Sequence, residues 1–252
     1  MSATILFSES YETQKLWKGK KMRYKLNFVK FLLEVGALTF GDFTLKSGRK
    51  SPYMINTAKF DTGERLSKLG CFYARAIREK MELGILPDKI DVLFGSAYKG
   101  IPLATATSIA LSAAFDNDIG YCFNRKEAKD HGEGGMLVGC IPKPGDNVLI
   151  IDDVMTAGTA LREVVPILKN EVPEANIVGS VLAVDRMEKG PGEKLCAVAQ
   201  AQYEMGFPIF AIVDIDEIIK AIEEIQNEPV VNIIPTPEQV ESIKKHLNDF
   251  KV

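Results

Sequence analysis

The stretch that most constrains the fold lies at residues 148–160. There a short apolar run is followed by two acids and a turn of small residues. The run is Val-Leu-Ile-Ile, and three of its four residues are β-branched. Such a run is typical of a strand buried on both faces of a parallel sheet. Asp152 and Asp153 follow directly, and a helical stretch begins at about Ala160. This order of strand, acidic pair, small turn and helix start predicts an anion site.

The turn itself, Thr-Ala-Gly-Thr at residues 156–159, gives the anion site its character. Backbone N–H groups at a helix start carry partial positive charge, and small side chains let that backbone close on a phosphate. Carboxylates do not bind phosphate, but they suit ribose hydroxyls or a hard cation such as Mg²⁺. We therefore interpret the stretch as a sugar-phosphate cradle. The alternative is a buried strand ending in an ordinary capped helix, and the turn sequence disfavours it.

Composition limits the function classes. The 252 residues are 46% hydrophobic and 26% charged, which is ordinary for a globular protein. The net charge of −3 gives no basic excess for nucleic-acid binding, so any anion binding must be local. No apolar run approaches the length of a membrane span, and residues 1–21 lack the apolar core of a secretory signal. Four cysteines without a Cys-x-x-Cys spacing predict reduced, mostly buried thiols in a cytoplasmic protein.

Four segments are expected along the chain. Residues 1–21 predict an N-terminal extension, and residues 22–60 a helix followed by a β-hairpin. Strands alternate with helices over residues 61–226, which predicts one α/β core with a doubly wound, mostly parallel sheet flanked by helices. Residues 227–252 predict a C-terminal segment with a capped helix.

Three local expectations concern element boundaries. Asp61 and Glu64 have the spacing of a capping box. Pro166 lies within a predicted helix and is expected to kink or shorten it. Residues 124–135 combine three cations, three acids and three glycines, which predicts a mobile loop.

Polar residues follow several predicted strands, at Tyr98-Lys99, at 152–160 and at Asp185-Arg186. In a doubly wound sheet these strand ends share one edge, where ligands bind. The cationic hairpin tip around Lys46 and the 124–135 stretch could close over that edge. No triad-like or zinc-like spacing is present. Many cations and no apparent nucleophile favour transfer from a diphosphate sugar.

Three further segments carry a family resemblance: 43–53 (FTLKSGRKSPY), 97–104 (AYKGIPLA) and 123–135 (FNRKEAKDHGEGG). Together with 148–160 they resemble the orotate phosphoribosyltransferases, type I phosphoribosyltransferases found in this form in many bacteria and fungi. The resemblance covers residues 27–226, and residues 1–21 and the segment from about Asn227 are expected to be peculiar to this chain. One departure is that two aromatic residues often follow Pro-Tyr in the family, where this chain has Met54 and Ile55. If orotate contacts this segment through the backbone, the change is mild, and if it stacks on the rings, its affinity is expected to be weaker here.

The resemblance implies a type I phosphoribosyltransferase fold with a small N-terminal hood, Mg²⁺ as cofactor, and a homodimer whose 124–135 loop reaches the neighbouring site. It implies catalytic roles for Lys129, Asp153 and His131, with Lys129 the usual candidate for the general acid. Magnesium would be held through substrate diphosphate and ribose oxygens, with Asp152 and Asp153 as candidate protein ligands. The implied phosphoribosyl-diphosphate site is Lys46, Tyr98, Lys99, Arg125, Lys126, Lys129, His131, Asp152, Asp153, Val154, Met155, Thr156, Ala157, Gly158, Thr159 and Ala160. The implied orotate site is Lys46, Met54, Ile55, Thr156 and Arg186, with the planar guanidinium matched to a carboxylate.

Simpler interpretations remain for single residues. Lys99 and Lys126 could be solvated charges, Arg186 a structural ion pair, and His131 an exposed loop residue. Three functions stay open: an orotate enzyme, the same fold acting on another base such as a purine, and a binding or regulatory module without catalysis. The basic 125–131 stretch argues against the module. The cations Lys46 and Arg186 argue against a purine, which offers no carboxylate.

Overall fold

The computed structural model describes residues 23–45, 48–115, 117–129, 135–155, 157–189, 194–225 and 235–250. The predicted extension at residues 1–21 lies outside them. The helices are α1 (Arg23–Glu34), α2 (Gly63–Glu82), α3 (Gly100–Phe115), α4 (Thr159–Glu171), α5 (Ala197–Met205), α6 (Ile215–Ile225) and α7 (Pro237–Phe250). The strands are β1 (Leu38–Thr44), β2 (Lys50–Ile55), β3 (Val92–Gly95), β4 (Gly120–Lys129), β5 (Gly135–Gly139), β6 (Asn147–Ile151), β7 (Asn176–Asp185) and β8 (Ile209–Asp214).

The central sheet has the strand order β5-β4-β3-β6-β7-β8. Its strands are parallel except β5, which pairs antiparallel with β4 at one edge. The chain passes from β3 outward to β4 on one side, then returns to β6 and continues to β8 on the other. The order therefore reverses between β3 and β6. Ligands of doubly wound sheets bind beyond the carboxyl ends of the strands at such a reversal.

Both faces of the sheet are covered, as the apolar run in β6 predicts. Leu149 and Ile151 belong to the larger core cluster, which includes residues of α1, α2, α3 and α6. Val148 and Ile150 face the second cluster, formed largely with α4 and α5. Successive strand residues point to opposite faces, so a strand between two helical layers must be apolar throughout. The α/β prediction is confirmed.

The N-terminal helix and hairpin form a separate small layer. Strands β1 and β2 pair antiparallel, with Phe40 opposite Tyr53, and make their own two-stranded sheet. The layer shares the larger core cluster, because Phe28 of α1 lies 5.0 Å from Phe72 of α2 between ring centres. The predicted hairpin is present, with strands at Leu38–Thr44 and Lys50–Ile55.

One prediction at a helix end is wrong, and a second is wrong in part. The N-cap of α2 is Thr62, whose hydroxyl accepts from the Arg65 N–H at 3.3 Å, while Asp61 pairs with the Arg65 side chain at 2.7 Å. Pro166 does not shorten α4, which continues to Glu171. Buried residues on both sides of the proline, Val164 and Leu168 among them, hold this helix against the second cluster. Tertiary packing thus outweighs the lost backbone hydrogen bond.

The prediction of a loop over residues 124–135 is wrong in its first half. Strand β4 continues to Lys129 and pairs with β5, with Asn124 opposite Leu137 and Lys129 opposite Gly135. Arg125 Nη1 also donates to the Gly135 and Leu137 carbonyls, at 3.1 and 3.4 Å. Strand β5 supplies hydrogen-bond partners for the backbone of this polar stretch, and the polar sequence alone does not predict that pairing. Residues 130–134 lie outside the described part of the chain.

The four cysteines are free thiols, as predicted, but burial differs from the expectation. Cys122 is buried, Cys71 and Cys196 are half-buried, and Cys140 is exposed. Cys140 follows β5 directly, at the solvent-facing edge of the sheet. Within the described residues, no helix combines the length and apolar character needed to cross a bilayer.

Candidate active site

Two glycines bring the turn after β3 against the end of β6. A Cβ on Gly95 would lie 2.1 Å from the Gly100 carbonyl oxygen. A Cβ on Gly100 would lie 2.8 Å from the Gly95 carbonyl carbon and 3.0 Å from the Ile151 oxygen. Only glycine fits such contacts. The intervening turn, which contains a cis Ala97-Tyr98 peptide and an exposed Tyr98, therefore lies at the strand-order reversal.

The acidic pair is fixed by its backbone. The Asp152 N–H donates to the Val181 carbonyl at 3.1 Å, and the Asp153 carbonyl accepts from the Ala183 N–H at 2.7 Å. These bonds extend the pairing of β6 with β7 beyond the end of β6. The Tyr73 hydroxyl also donates to the Asp152 carbonyl at 2.7 Å. The two carboxylates consequently have a rigid base at the sheet edge.

Asp153 is held ionised by its neighbours. Its Oδ2 accepts from Lys99 Nζ at 2.6 Å and from the Thr57 hydroxyl at 2.7 Å. Its Oδ1 accepts from the Val154 N–H. Burial alone would raise the pKa of Asp153, but the Lys99 ammonium and the Thr57 hydroxyl lower it overall. Lys99, in the turn after β3, therefore contacts both Thr57 of the N-terminal layer and Asp153 of the acidic pair.

Asp152 has the opposite electrostatic environment. Burial, and then the negative charge of Asp153, raise its pKa to about 6. Its Oδ1 accepts the Asp153 N–H at 2.9 Å. The two acids thus differ in charge below neutral pH. A ribose diol or a cation placed beside them would favour ionisation of both.

We expect Asp152→Asn to change the pH dependence of stability. The folded protein binds the Asp152 proton more tightly than the unfolded chain, so ionising Asp152 costs folding free energy from about pH 4 to pH 6. The free energy of unfolding of the variant, relative to the parent, should rise across that window by on the order of 1–3 kcal/mol and then level off. Urea unfolding at several pH values measures this difference. The exposed Asp118→Asn serves as control, and a flat difference for Asp152→Asn would contradict the assignment.

The turn after the acidic pair leads into an open helix start. Gly158, with a φ of +72°, is the N-cap of α4 and makes no side-chain capping bond. Arg162 braces the turn by donating to the Ala157 carbonyl and pairing with Glu204 at 2.7 Å. Gly158 therefore leaves the N-terminal N–H groups of α4 without a cap from its own side chain, which suits an anion. Thr156 lies outside the described residues.

Two predicted phosphate-site residues have structural roles. Met155 is buried in the second core cluster, and Val154 bridges to Val184 of β7. Any contact from Met155 to a ligand must therefore come from the backbone, while the Val154 side chain is half-buried. The neighbouring Thr159 and Ala160 form the first turn of α4.

The β4–β5 hairpin brings one predicted cation to the site. Lys126 Nζ lies 5.8 Å from the centre of the Tyr98 ring. Arg125, in contrast, points to the backbone of β5. The backbone of Lys129 lies at the end of β4, while Lys46 and His131 are outside the described residues. The structure thus gathers Tyr98, Lys99, Lys126 and the acidic pair, and it places Arg125 within the hairpin.

The described residues of the predicted orotate site lie where the N-terminal layer meets the same edge. Met54 and Ile55 are adjacent in β2 and point to opposite faces, and Ile55 packs against the larger core cluster. Arg186 follows β7 directly, is 5% exposed, and pairs with Glu188 at 2.6 Å. Arg186 therefore does form the structural ion pair that was its simpler interpretation, and the pair occupies one side of its guanidinium.

Residues 69–199 match the family model of the phosphoribosyl transferase domain. The chain is 54% identical over 200 residues to an orotate phosphoribosyltransferase of Bifidobacterium adolescentis, with 79% of this chain and 86% of the relative covered. An orotate phosphoribosyltransferase of Pseudomonas syringae pv. tomato is 50% identical, with 80% and 89% covered. The chain belongs to the orotate phosphoribosyltransferase family.

A solved member of this orotate phosphoribosyltransferase family has the same architecture. The Francisella tularensis orotate phosphoribosyltransferase matches with a TM-score of 0.73 at 35% identity, covering 90% of this chain and all of the other. Residues 22–226 amount to about four fifths of the chain, so the match extends into at least one terminal segment. The expectation that both segments are peculiar to this chain is therefore wrong.

Sequence reasoning missed the partners of Arg186. Glu188 pairs with Arg186 directly, and His246 of the last helix contacts Glu188, both through buried side chains. A signal for His246 was present, because it lies three residues after Ile243 and next to Leu247, on the apolar face of α7. Glu188 could have been noticed as a carboxylate only two residues from Arg186, the candidate orotate ligand. Neither residue falls within the motifs that carried the family resemblance.

Proposed function

We propose that the protein transfers the 5-phosphoribosyl group from phosphoribosyl diphosphate to orotate, giving orotidine 5′-monophosphate and pyrophosphate in UMP biosynthesis. One observation carries the proposal. The acidic pair, Lys99, the open start of α4 and Arg186 all lie on one edge of the sheet, around the strand-order reversal. The relatives named orotate phosphoribosyltransferase support the same reaction.

The ribose phosphate would bind across the β6–α4 turn. We expect the 5′-phosphate to bind at the turn of residues 156–159 and the first turn of α4, whose N-cap Gly158 makes no side-chain capping bond. Asp152 and Asp153 would accept hydrogen bonds from the ribose hydroxyls. Lys99 now neutralises Asp153 at 2.6 Å, so it is poised to turn to the diphosphate when the ribose takes over that carboxylate.

Catalysis would depend on charge placement. The bond between C1 and the diphosphate oxygen breaks ahead of attack by the orotate nitrogen, so positive charge develops on the ribose. The carboxylate of Asp153 stabilises that charge, while Lys99, Arg125, Lys126, Lys129 and His131 would balance the departing diphosphate. Lys129 is the candidate general acid to the leaving oxygen, and His131 is the alternative. Pyrophosphate leaves with the electrons of the broken bond.

Magnesium fits this site as a substrate-bound ion. Asp152 and Asp153 offer the hard oxygen ligands that Mg²⁺ prefers. Within the described residues no group of three or more His, Cys, Asp or Glu side chains is arranged to hold a metal. The remaining ligands would have to be substrate and water oxygens. When bound, the ion would neutralise the diphosphate.

The orotate side would use Arg186 and Lys46 for the carboxylate, with Thr156, Met54 and Ile55 around the ring. Met54 stands opposite Thr39 in the hairpin, and its face of β2 is the one that Ile55 and Tyr53 do not occupy. A thioether offers apolar contact without ring stacking. These residues would hold the attacking nitrogen of orotate in line with the ribose C1 atom, so that the binding energy of orotate serves to orient it.

The functional unit would be a cytoplasmic homodimer. The β4–β5 hairpin carries the exposed Lys126 and leads to Lys129, and its tip would extend to the neighbouring subunit's acidic pair. Four free thiols agree with a reducing compartment. The charge of −3 gives no reason to expect a nucleic-acid partner.

The test is loss of orotate absorbance when phosphoribosyl diphosphate, Mg²⁺ and protein are combined. We expect turnover of orotate, and none of hypoxanthine or adenine, because neither purine supplies a carboxylate for Arg186. Turnover of a purine instead would establish the alternative base. Binding of phosphoribosyl diphosphate without turnover of any base would indicate a non-catalytic module.

A further inference from the structure

A buried cluster around Glu188 lies beside the proposed orotate site. Glu188 Oε1 accepts from Arg186 Nη2 at 2.6 Å and Nε at 3.1 Å, and from the Tyr53 hydroxyl at 3.1 Å. Its Oε2 accepts from Arg49 Nη1 at 3.0 Å, and His246 Nε2 lies 3.2 Å from Oε1. Except for Arg49, these residues are at most 8% exposed. One carboxylate thus joins β2, the end of β7 and α7.

This cluster fixes the plane of the Arg186 guanidinium. Nε and Nη2 point to Glu188, Nη2 also donates to the Ser51 hydroxyl at 3.1 Å, and the group lies 4.3 Å from the centre of the Tyr53 ring. The remaining nitrogen, Nη1, makes no hydrogen bond to any residue that the structure describes. A guanidinium binds a carboxylate well only when its donors lie in the carboxylate plane. Fixing that plane therefore bears directly on ligand affinity.

The charges of the cluster keep Glu188 ionised. Glu188 pairs with two guanidinium groups, those of Arg186 and Arg49. Burial would raise the pKa of Glu188, but Arg186 and His246 lower it overall, so the carboxylate stays ionised. A substrate carboxylate at Nη1 would then find a guanidinium whose other nitrogens are already fixed by an ionised partner.

Helix α7 holds Glu188 from the other side. The Phe250 carbonyl accepts from the Lys189 N–H at 2.8 Å, next to Glu188 in the chain. The Phe250 ring lies 4.7 Å from the Arg49 guanidinium and 4.7 Å from the His246 ring. His246 also meets the Tyr53 ring edge-on at 6.3 Å. The last helix therefore contacts each group that contacts Glu188, apart from Arg186 itself.

We propose that Glu188 is a positioning residue for the orotate carboxylate, that it acts by orienting Arg186, and that His246 of α7 fixes Glu188 in turn. This inference rests on the proposed function. It makes the last helix part of the orotate site without direct contact to the substrate. Selection of a carboxylated pyrimidine then depends on a segment about sixty residues from the arginine that would read it.

The test compares orotate with uracil, which has the same ring without the carboxylate. Glu188→Gln keeps the size of the side chain and removes its charge. We expect the KM for orotate to rise about 10- to 100-fold, as for loss of a charged hydrogen bond. The KM for phosphoribosyl diphosphate and the inhibition constant of uracil should stay within about 2-fold, because neither ligand uses the Arg186 plane. Glu188→Asp should recover part of the loss, and His246→Phe, which keeps the aromatic contacts, should raise the orotate KM about 3- to 10-fold.

Lys244→Ala is the matched control on the same helix. Lys244 pairs with Glu223 at 2.7 Å on the exposed side of α7, and its loss should leave all three constants unchanged. If Glu188→Gln raises the orotate and uracil constants equally while thermal stability falls, the role is structural and the inference is overturned. An unchanged orotate KM overturns it as well. Failure of the unmodified protein to use orotate would overturn the proposed function first, and the inference with it.

Discussion

Asp153→Asn should lower kcat/KM by roughly 10²- to 10³-fold, the range typical for removing one preorganised electrostatic contact at a reacting centre. The amide keeps the shape of the carboxylate and can still accept from the Thr57 hydroxyl, now at 2.7 Å. It loses the charge that Lys99 neutralises and that a cationic ribose would need. Most of the loss should therefore be in kcat, with a smaller change in the KM for phosphoribosyl diphosphate. Steady-state kinetics with varied phosphoribosyl diphosphate separates the two constants.

The control for Asp153 is Asp118→Asn. Asp118 is exposed and precedes β4, so it lies at the amino ends of the parallel strands, whereas the acidic pair lies at their carboxyl ends. Its replacement should leave both constants within about 2-fold. Circular dichroism would check that Asp153→Asn remains folded. Activity within about 3-fold of the parent in the folded variant would remove Asp153 from the catalytic charge arrangement.

The acidic pair and its turn were predictable because their signal is local. An apolar β-branched run, two acids and small turn residues are contiguous in the chain, and parallel sheet geometry alone places them at the edge where the Lys99 turn also lies. The ion pair between Asp153 and Lys99 was not predictable from a local signal. It depends on Gly95 and Gly100 allowing the turn to fold closely against β6.

The parts that sequence reasoning missed depend on distant partners. Residues 124–129 look like a loop because their polarity is high, yet pairing with β5 makes them a strand. Arg186 was predicted as an orotate ligand, but its partner Ser51 lies 135 residues away, and its other partner, Glu188, contacts His246 at a separation of 58 residues. No periodicity or motif encodes which buried carboxylate will meet which cation. Such contacts are set by how the layers pack.

Lys129→Ala should lower kcat far more than it weakens binding of phosphoribosyl diphosphate. If Lys129 supplies a proton or a positive charge to the departing diphosphate, its contribution appears mainly in the transition state, and a loss of about 10²- to 10⁴-fold in kcat is expected. Lys126→Ala is the matched comparison on the same strand. Its Nζ lies 5.8 Å from the Tyr98 ring, so its loss should act mostly on KM. Single-turnover kinetics would separate chemistry from product release, and equal kcat in Lys129→Ala and the parent would exclude this role.

Mixing the Lys129→Ala and Asp153→Asn variants tests whether the hairpin of one subunit serves the site of the other. In a two-fold dimer with shared sites, each mixed dimer contains one site with both lesions and one site with neither. Equal mixing after subunit exchange should then restore about a quarter of the parent activity, because about half of the dimers are mixed and each has one intact site. If Lys129 instead acts within its own subunit, every site carries one lesion, and mixing restores nothing. The same experiment therefore decides between a shared and an internal site, and subunit exchange must first be verified with differently tagged chains.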